Sequence, residues 1–221
     1  YHSPAAASRH GIGMLYQDPL DFPPLTVLEN FALGQTHGLP RRTAEIKRLF
    51  EALTRPLDFT LNPAAPVSSL TIGERQQLEI VRLLNMGVEL LILDEPTTGI
   101  SAVQKAVLFE AIRRLAADGK SILLVSHKLE EVLSLCHRVT VLRDGIVAGS
   151  MEPPFDDSAL LTMMFGVQPE PPSKPSITPG ETLLVMDCVS ALGGRSGLAN
   201  CSISMRRGEV IGLAGLEGSG Q

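Results

Sequence analysis

Cysteine is scarce in this 221-residue chain: Cys136, Cys188 and Cys201 are odd in number and widely spaced. That excludes a disulfide scaffold or a cysteine metal knuckle, so buried, reduced thiols in a reducing cytoplasm are expected. Long apolar runs are missing as well. No stretch approaches the ~18 consecutive apolar residues of a membrane-spanning helix, and the N-terminus lacks a basic-then-apolar signal pattern. There is no basic excess: 19 Lys and Arg stand against 24 Asp and Glu, a net charge of −5. This weighs against a protein that coats nucleic acid. What is present, 44% hydrophobic and 19% charged residues, suits a globular chain able to bury a core as one domain or as one domain and part of another. The chain opens at Tyr1 rather than Met and stops inside a glycine-rich turn. A fragment is expected.

The clearest break in the chain is the segment from Ser150 to Glu181, where Pro153, Pro154, Pro169, Pro171, Pro172, Pro175 and Pro179 read as a linker. Within it, residues 158–165 are apolar enough for a short docked helix. Upstream, the apolar runs Leu90–Leu93 and Ile122–Val125 are the kind that fill a parallel sheet buried on both faces. Between them Val103, Val107, Leu108, Ala111, Ile112 and Leu115 form an amphipathic stripe that Gly119 stops, completing a βαβ unit. Val139–Leu142 and Ile146–Ala148 flank Asp144-Gly145, a hairpin signal. Arg42–Leu53 and Glu74–Leu84 read as helices beside the sheet. Downstream of the linker, Thr182–Ser190, Ala199–Met205 and Val210–Ala214 read as strands opening a second domain.

Several motifs carry chemistry. Leu90–Leu93 runs into Asp94 and Glu95, two carboxylates at the C-terminal edge of a parallel sheet, where such folds bind ligands. One can serve a Mg²⁺ that bridges phosphates while its neighbour polarises water, which makes Asp94 the metal acid and Glu95 the base. Ser126-His127-Lys128 follows the next apolar strand, so His127 reaches the same edge and can donate to a phosphate oxygen. Gln17, after the short run Gly13–Tyr16, can offer its amide to a metal or water. Leu70-Thr71-Ile72-Gly73-Glu74 opens a helix: its N-terminus favours phosphate, or Thr71 and Glu74 simply make a capping box. Gly215-Leu216-Glu217-Gly218-Ser219-Gly220-Gln221 matches the phosphate-cradling GxxGxGK pattern except that Gln221 replaces the Lys.

Taken in order, these motifs resemble the ATP-binding cassette (ABC) ATPases across residues 1–150, with a second cassette opening near Thr182. The resemblance implies a P-loop α/β fold with a parallel-sheet core and a helical subdomain at about 40–88, a linker over 151–181, and the start of a second cassette over 182–221. It makes Gln17 the Q-loop residue, Leu70–Glu74 the signature, Leu90–Glu95 the Walker B strand with its catalytic glutamate, and His127 the switch histidine. The cofactors implied are ATP and Mg²⁺, the metal held by Asp94 and Gln17. Residues 11–34, the signature variant LTIGERQ and the loop GLEGSGQ look closer still to the tandem-cassette ATPases of simple-sugar and nucleoside importers.

In that group the partners are transmembrane permease subunits, an extracytoplasmic substrate-binding protein and the second cassette of the same chain, at the cytoplasmic face of the bacterial membrane; no nucleic acid is involved. The chain departs from the family pattern in three places. The first phosphate loop is expected upstream of Tyr1, which would leave residues 1–221 alone inactive. Ile72 and Glu74 replace the usual Gly and Gln of the signature. Ser101 stands where the D-loop carries Asp. The function expected is ATP hydrolysis that drives uptake of a nucleoside or simple sugar. Its rival is a soluble ABC ATPase acting on ribosomes or DNA, whose charged linkers, inserted coiled coils or zinc modules this sequence does not carry.

Overall fold

The computed structural model describes residues 3–33, 42–167, 179–192 and 197–213. It divides into two compact units, residues 1–168 and 169–221. In the first, α1 (Pro4–Arg9), β1 (Ile12–Leu15), α2 (Val27–Ala32), α3 (Thr43–Thr54), α4 (Ile72–Asn85), β2 (Leu90–Asp94), α5 (Ala102–Ala117), β3 (Ser121–Val125), α6 (Leu129–Leu135), β4 (Val139–Arg143), β5 (Ile146–Met151) and α7 (Asp157–Phe165) follow in order. The strands β1, β2 and β3 form one parallel sheet in that order, with Leu15 level with Leu93 and Leu93 level with Leu124. α5 is the crossover between β2 and β3, as parallel neighbours require.

The register sorts side chains by face. Gly13, Leu15, Leu91, Leu93, Ile122 and Leu124 share the face that joins the core, where Leu15, Leu91 and Leu93 are sealed from solvent with Phe31, Phe50, Leu78 and Leu108. Ile12, Met14, Leu90, Ile92, Leu123 and Val125 share the other. Expected burial on both faces fails there: Leu123 is 52% and Val125 45% exposed, because no described element covers that side of β3. The stripe on α5 also needs correction. Leu108, Ala111, Ile112 and Leu115 are buried, together with Phe109, but Val103 is 72% exposed. At about 100° per residue, Val103 lies roughly 140° around the helix from Leu108.

The hairpin β4–β5 turns on Asp144 and Gly145, both at positive φ as a two-residue primed turn requires. Helix α7 docks on this hairpin with Leu160 buried, the short docked helix expected at 158–165, and residues 151–167 belong to the first unit. The second unit consists of the antiparallel pair β6 (Thr182–Ala191) and β7 (Leu198–Arg206). The expected strand from Val210 is not formed over residues 210–213: these make no ladder, and Val210 and Leu213 are exposed, since neither strand of the ribbon pairs with them. All three cysteines are free, and none is fully buried as expected: Cys136 and Cys201 are only half-buried. Cys188 is exposed, because a two-stranded ribbon has no opposing layer to cover it.

Candidate active site

Strand β2 delivers Asp94 and Glu95 to the C-terminal edge of the sheet, and β3 delivers Ser126 and His127 to the same edge one strand over. β1 ends two residues before Gln17, so the exposed Gln17 emerges at that edge too. The sheet thus brings Glu95 and His127 into contact, with Asp94 and Gln17 following strands that end at the same edge.

Glu95 has an unusual backbone. Its φ is +47°, in the left-handed region that costs an ordinary side chain about 1–2 kcal/mol, and its N–H donates to the Val125 carbonyl at 2.9 Å. Its carboxylate is pinned on one side only. Oε1 accepts the His127 backbone N–H at 3.0 Å and faces His127 Nδ1 at 2.7 Å, while Oε2 is buried with no hydrogen-bond partner among the described residues. An ionised carboxylate only accepts, so Nδ1 carries the proton of that contact and Nε2 is left to solvent on a side chain that is 71% exposed. A strained backbone and an orphaned buried oxygen on one residue are the marks of a group kept for chemistry.

The half-buried carboxylate of Asp94 makes no hydrogen bond or ion pair with another described residue. A Mg²⁺ held with phosphates takes one or two carboxylates and completes its shell with water, and this donor set fits such an ion: Asp94 would hold it and the Gln17 amide could join. No cluster of three or more His, Cys, Asp or Glu suited to a metal occurs among the described residues.

The signature segment opens α4 differently. Thr71 is its N-cap: Glu74 N–H donates to Thr71 Oγ1 at 3.3 Å, and Glu74 Oε2 accepts from the Thr71 backbone N–H and hydroxyl, both at 2.8 Å. Of the two readings left open for this segment, the capping box is the one formed. Ser101 caps α5 in the same manner with Gln104. Gln104, which the sequence reading passed over, then joins the two caps by donating Nε2 to Thr71 Oγ1 at 2.7 Å. Gly73 is what lets it in. A Cβ there would lie 2.7 Å from Gln104 Cδ. Leu70 packs against the core, and Ile72, 38% exposed, reaches over Gly99, where an added Cβ would lie 3.0 Å from Ile72 Cδ1. The Ser-x-x-Gln spacing at 101–104 is itself a capping-box pattern and could have revealed Gln104.

One more buried group lies behind the sheet edge. Glu131 on α6 is 1% exposed and accepts from Thr97 Oγ1 at 2.7 Å, with Lys105 Nζ at 3.1 Å. Burial pushes its pKa up, but the Thr97 and Lys105 hydrogen bonds and the charges of Lys105 and Lys128 together hold it below the ordinary 4.5. Gly215, Gly218, Ser219, Gly220 and Gln221 lie outside the described residues. No described helix is long and apolar enough to cross a membrane.

Residues 2–98 match the family model described as ABC transporter. The ribose import ATP-binding protein RbsA 3 of Rubrobacter xylanophilus is 36% identical over 230 residues, covering all of this chain and 45% of that protein. The glucose import ATP-binding protein TsgD13 of Haloferax volcanii is 35% identical over 253 residues, covering 99% of this chain and 46% of that protein. The chain therefore spans less than half the length of these relatives. An ATP-binding cassette of an ABC transporter solved in its ADP conformation superposes with a TM-score of 0.62 at 21% identity, over 75% of this chain and 72% of that one. A nucleotide-free cassette gives 0.59 at 22% identity, over 68% and 64%. The parallel sheet with its flanking helices is the ABC ATPase cassette fold, and in sequence the chain is similar to the ATP-binding proteins of ABC transporters.

Proposed function

We propose that this chain is part of an ATPase that binds Mg²⁺ and ATP and hydrolyses the nucleotide to energise uptake of a simple sugar through a separate permease. The observation that carries the reading is the Glu95–His127 pair at the sheet edge, with one carboxylate oxygen anchored and the other left free. Glu95 is the base that orients water, His127 meets the γ-phosphate through Nε2, and Asp94 with Gln17 serves the metal. Thr71, Gly73 and Ser101 cover a nucleotide held mainly by another cassette, and the second unit, with the glycine-rich residues 215–221, belongs to that other cassette. Simple sugar is favoured over nucleoside because the relatives named above import ribose and glucose. On this reading the protein sits at the cytoplasmic face of the membrane against permease subunits, fed by an extracytoplasmic binding protein.

The test uses the full-length protein in two arms, Mg²⁺-dependent ATP turnover and uptake of labelled ribose and glucose by cells with and without it. Turnover that Glu95→Gln abolishes, together with sugar uptake that needs the protein, supports the reading. Turnover without any effect on uptake points to the soluble rival, and no turnover at all ends both.

A further inference from the structure

Three stretches of chain converge on Glu131 from both sides of the reactive pair. Thr97, two residues after Glu95, donates its hydroxyl to Glu131 Oε1 at 2.7 Å. Ser126, immediately before His127, donates to Oε2 at 3.3 Å. Lys128, immediately after His127, places its ammonium 3.6 Å from Oε1 and donates to the Thr97 hydroxyl at 2.8 Å and carbonyl at 3.3 Å. The Lys128 backbone N–H closes the loop on Ser126 Oγ at 3.1 Å. Lys105 of α5 adds a second ammonium at 3.1 Å, itself set over the Phe109 ring. Thr97 and Glu131 are almost wholly buried, whereas the His127 side chain is open to solvent.

We propose that Glu131 is the positioning residue of this site: one buried carboxylate ties the segment after β2 to the segment after β3 and so fixes the distance and ring tautomer of the Glu95–His127 pair. The hydrogen-bond inventory supports this. The Thr97 hydroxyl has one proton, spent on Glu131, and its lone pairs take Lys128, so its rotamer is fixed. Two ammoniums share one carboxylate, and removing that charge leaves them repelling each other, with only the Thr97 hydroxyl and carbonyl left to hold Lys128 inward. Lys128 is bonded directly to His127, so its release turns the imidazole away from Glu95. The direct contacts that oppose that movement, the 2.7 Å contact of the ring with Glu95 and the 3.0 Å bond from the His127 backbone N–H, both end on the single oxygen Oε1. The consequence for turnover rests on the ATPase reading above, but the effect on the pair does not.

The experiment labels the histidines of the 221-residue chain with ¹⁵N and follows the two ring nitrogens of His127, assigned by their loss in His127→Ala. In the native chain Nδ1 carries a hydrogen-bonded proton. Glu131→Gln, of nearly the same size, moves both ring resonances toward those of a free imidazole and leaves the other histidines in place; Thr97→Val moves them the same way by a smaller amount. Folded Glu131→Gln and Thr97→Val chains with unchanged His127 resonances overturn the proposal, and Thr97→Val decides it alone if Glu131→Gln does not fold. In the full-length ATPase, Glu131→Gln lowers kcat about 10- to 100-fold with KM for ATP changed less than about twofold. Moved resonances with an unchanged kcat also overturn the positioning role. A full-length native protein without turnover counts against the ATPase reading, and the ring resonances then judge Glu131 by themselves.

Discussion

The sheet edge and the two helix starts are built on opposite terms. At the helix starts every functional oxygen is engaged: Thr71 Oγ1 donates to Glu74 and accepts from Glu74 and Gln104, and Ser101 and Gln104 satisfy each other. At the edge, Glu95 keeps a left-handed backbone and an unpartnered oxygen, and Asp94 is free among the described residues. Families of motifs that look alike on paper, a hydroxyl before a glycine and two acids after a strand, are therefore unlike in energy. The satisfied ones hold the fold and set how two helices meet. The unsatisfied ones are expensive to keep and make sense through what they bind.

The largest expected effect falls on the edge. In the full-length protein Glu95→Gln cuts ATP turnover by about 10²-fold or more while ATP stays bound, since the lost base acts on the barrier and not on ground-state contacts. His127→Ala follows in the same direction. Either variant turning over ATP at the native rate breaks the contrast at its reactive end.

Next comes a change that separates chemistry from stability at one residue. Glu95→Gly abolishes turnover yet leaves the melting temperature of the chain within about a degree or raises it, because relief of about 1–2 kcal/mol of left-handed strain offsets the entropy that glycine adds to the unfolded state. A clear fall in melting temperature would mean that the backbone at Glu95 is not strained.

The helix starts should respond the other way, in stability first. Gly73→Ala drives a methyl into the Gln104 amide, which moves aside and gives up its bonds to Thr71 and Ser101, a loss of about 1–2 kcal/mol. Gln104→Ala loses a similar amount. The double variant loses little more than either single one, a sub-additivity that denaturant unfolding measures directly. Full additivity would show that Gly73 and Gln104 do not answer to each other.

The smallest effects lie in the pH dependence of two buried carboxylates with opposite signs. Glu131 sits below its ordinary 4.5, so its contribution is present above that value and fades as pH falls through the folded pKa. Glu79 on α4 is pushed up by burial despite the hydrogen bond and charge of Arg82, so its contribution is present below 4.5 and fades as pH rises through the folded pKa. Melting curves from pH about 3 to 7 should show Glu131→Gln losing more stability at neutral pH than in acid, and Glu79→Gln losing less at neutral pH than in acid. The same slope for both would refute the assignment.

Much of this was legible in the sequence because it is written in periodicity and punctuation. Four-residue apolar runs ending in acids or in Ser-His gave β2 and β3 with Glu95 and His127, and Asp-Gly placed the β4–β5 turn. Other features depend on partners far away in the chain. Glu131 lies in the short helix α6, and nothing local distinguishes it from the exposed Glu130 beside it. Its burial is settled by Thr97 and Lys105, 34 and 26 positions away in a register that only the folded sheet and α5 supply. Gln104 is intermediate: its capping box is local, but its grip on Thr71 is not. The apolar run at 210–213 reads as a strand on composition, yet composition cannot provide the neighbour with which a strand must pair.

The open face of the sheet bears on how the protein behaves in a tube. β3 lies at the edge of the described sheet, carries Ile122, Leu123, Leu124 and Val125 in succession without a charge or proline, and shows two of those side chains to water. Such a segment is a template for cross-β growth. Colloidal stability of the chain should therefore be governed less by its net charge of −5 than by this one edge. A gatekeeping lysine at Leu123, which points away from the core, is the substitution that would protect it.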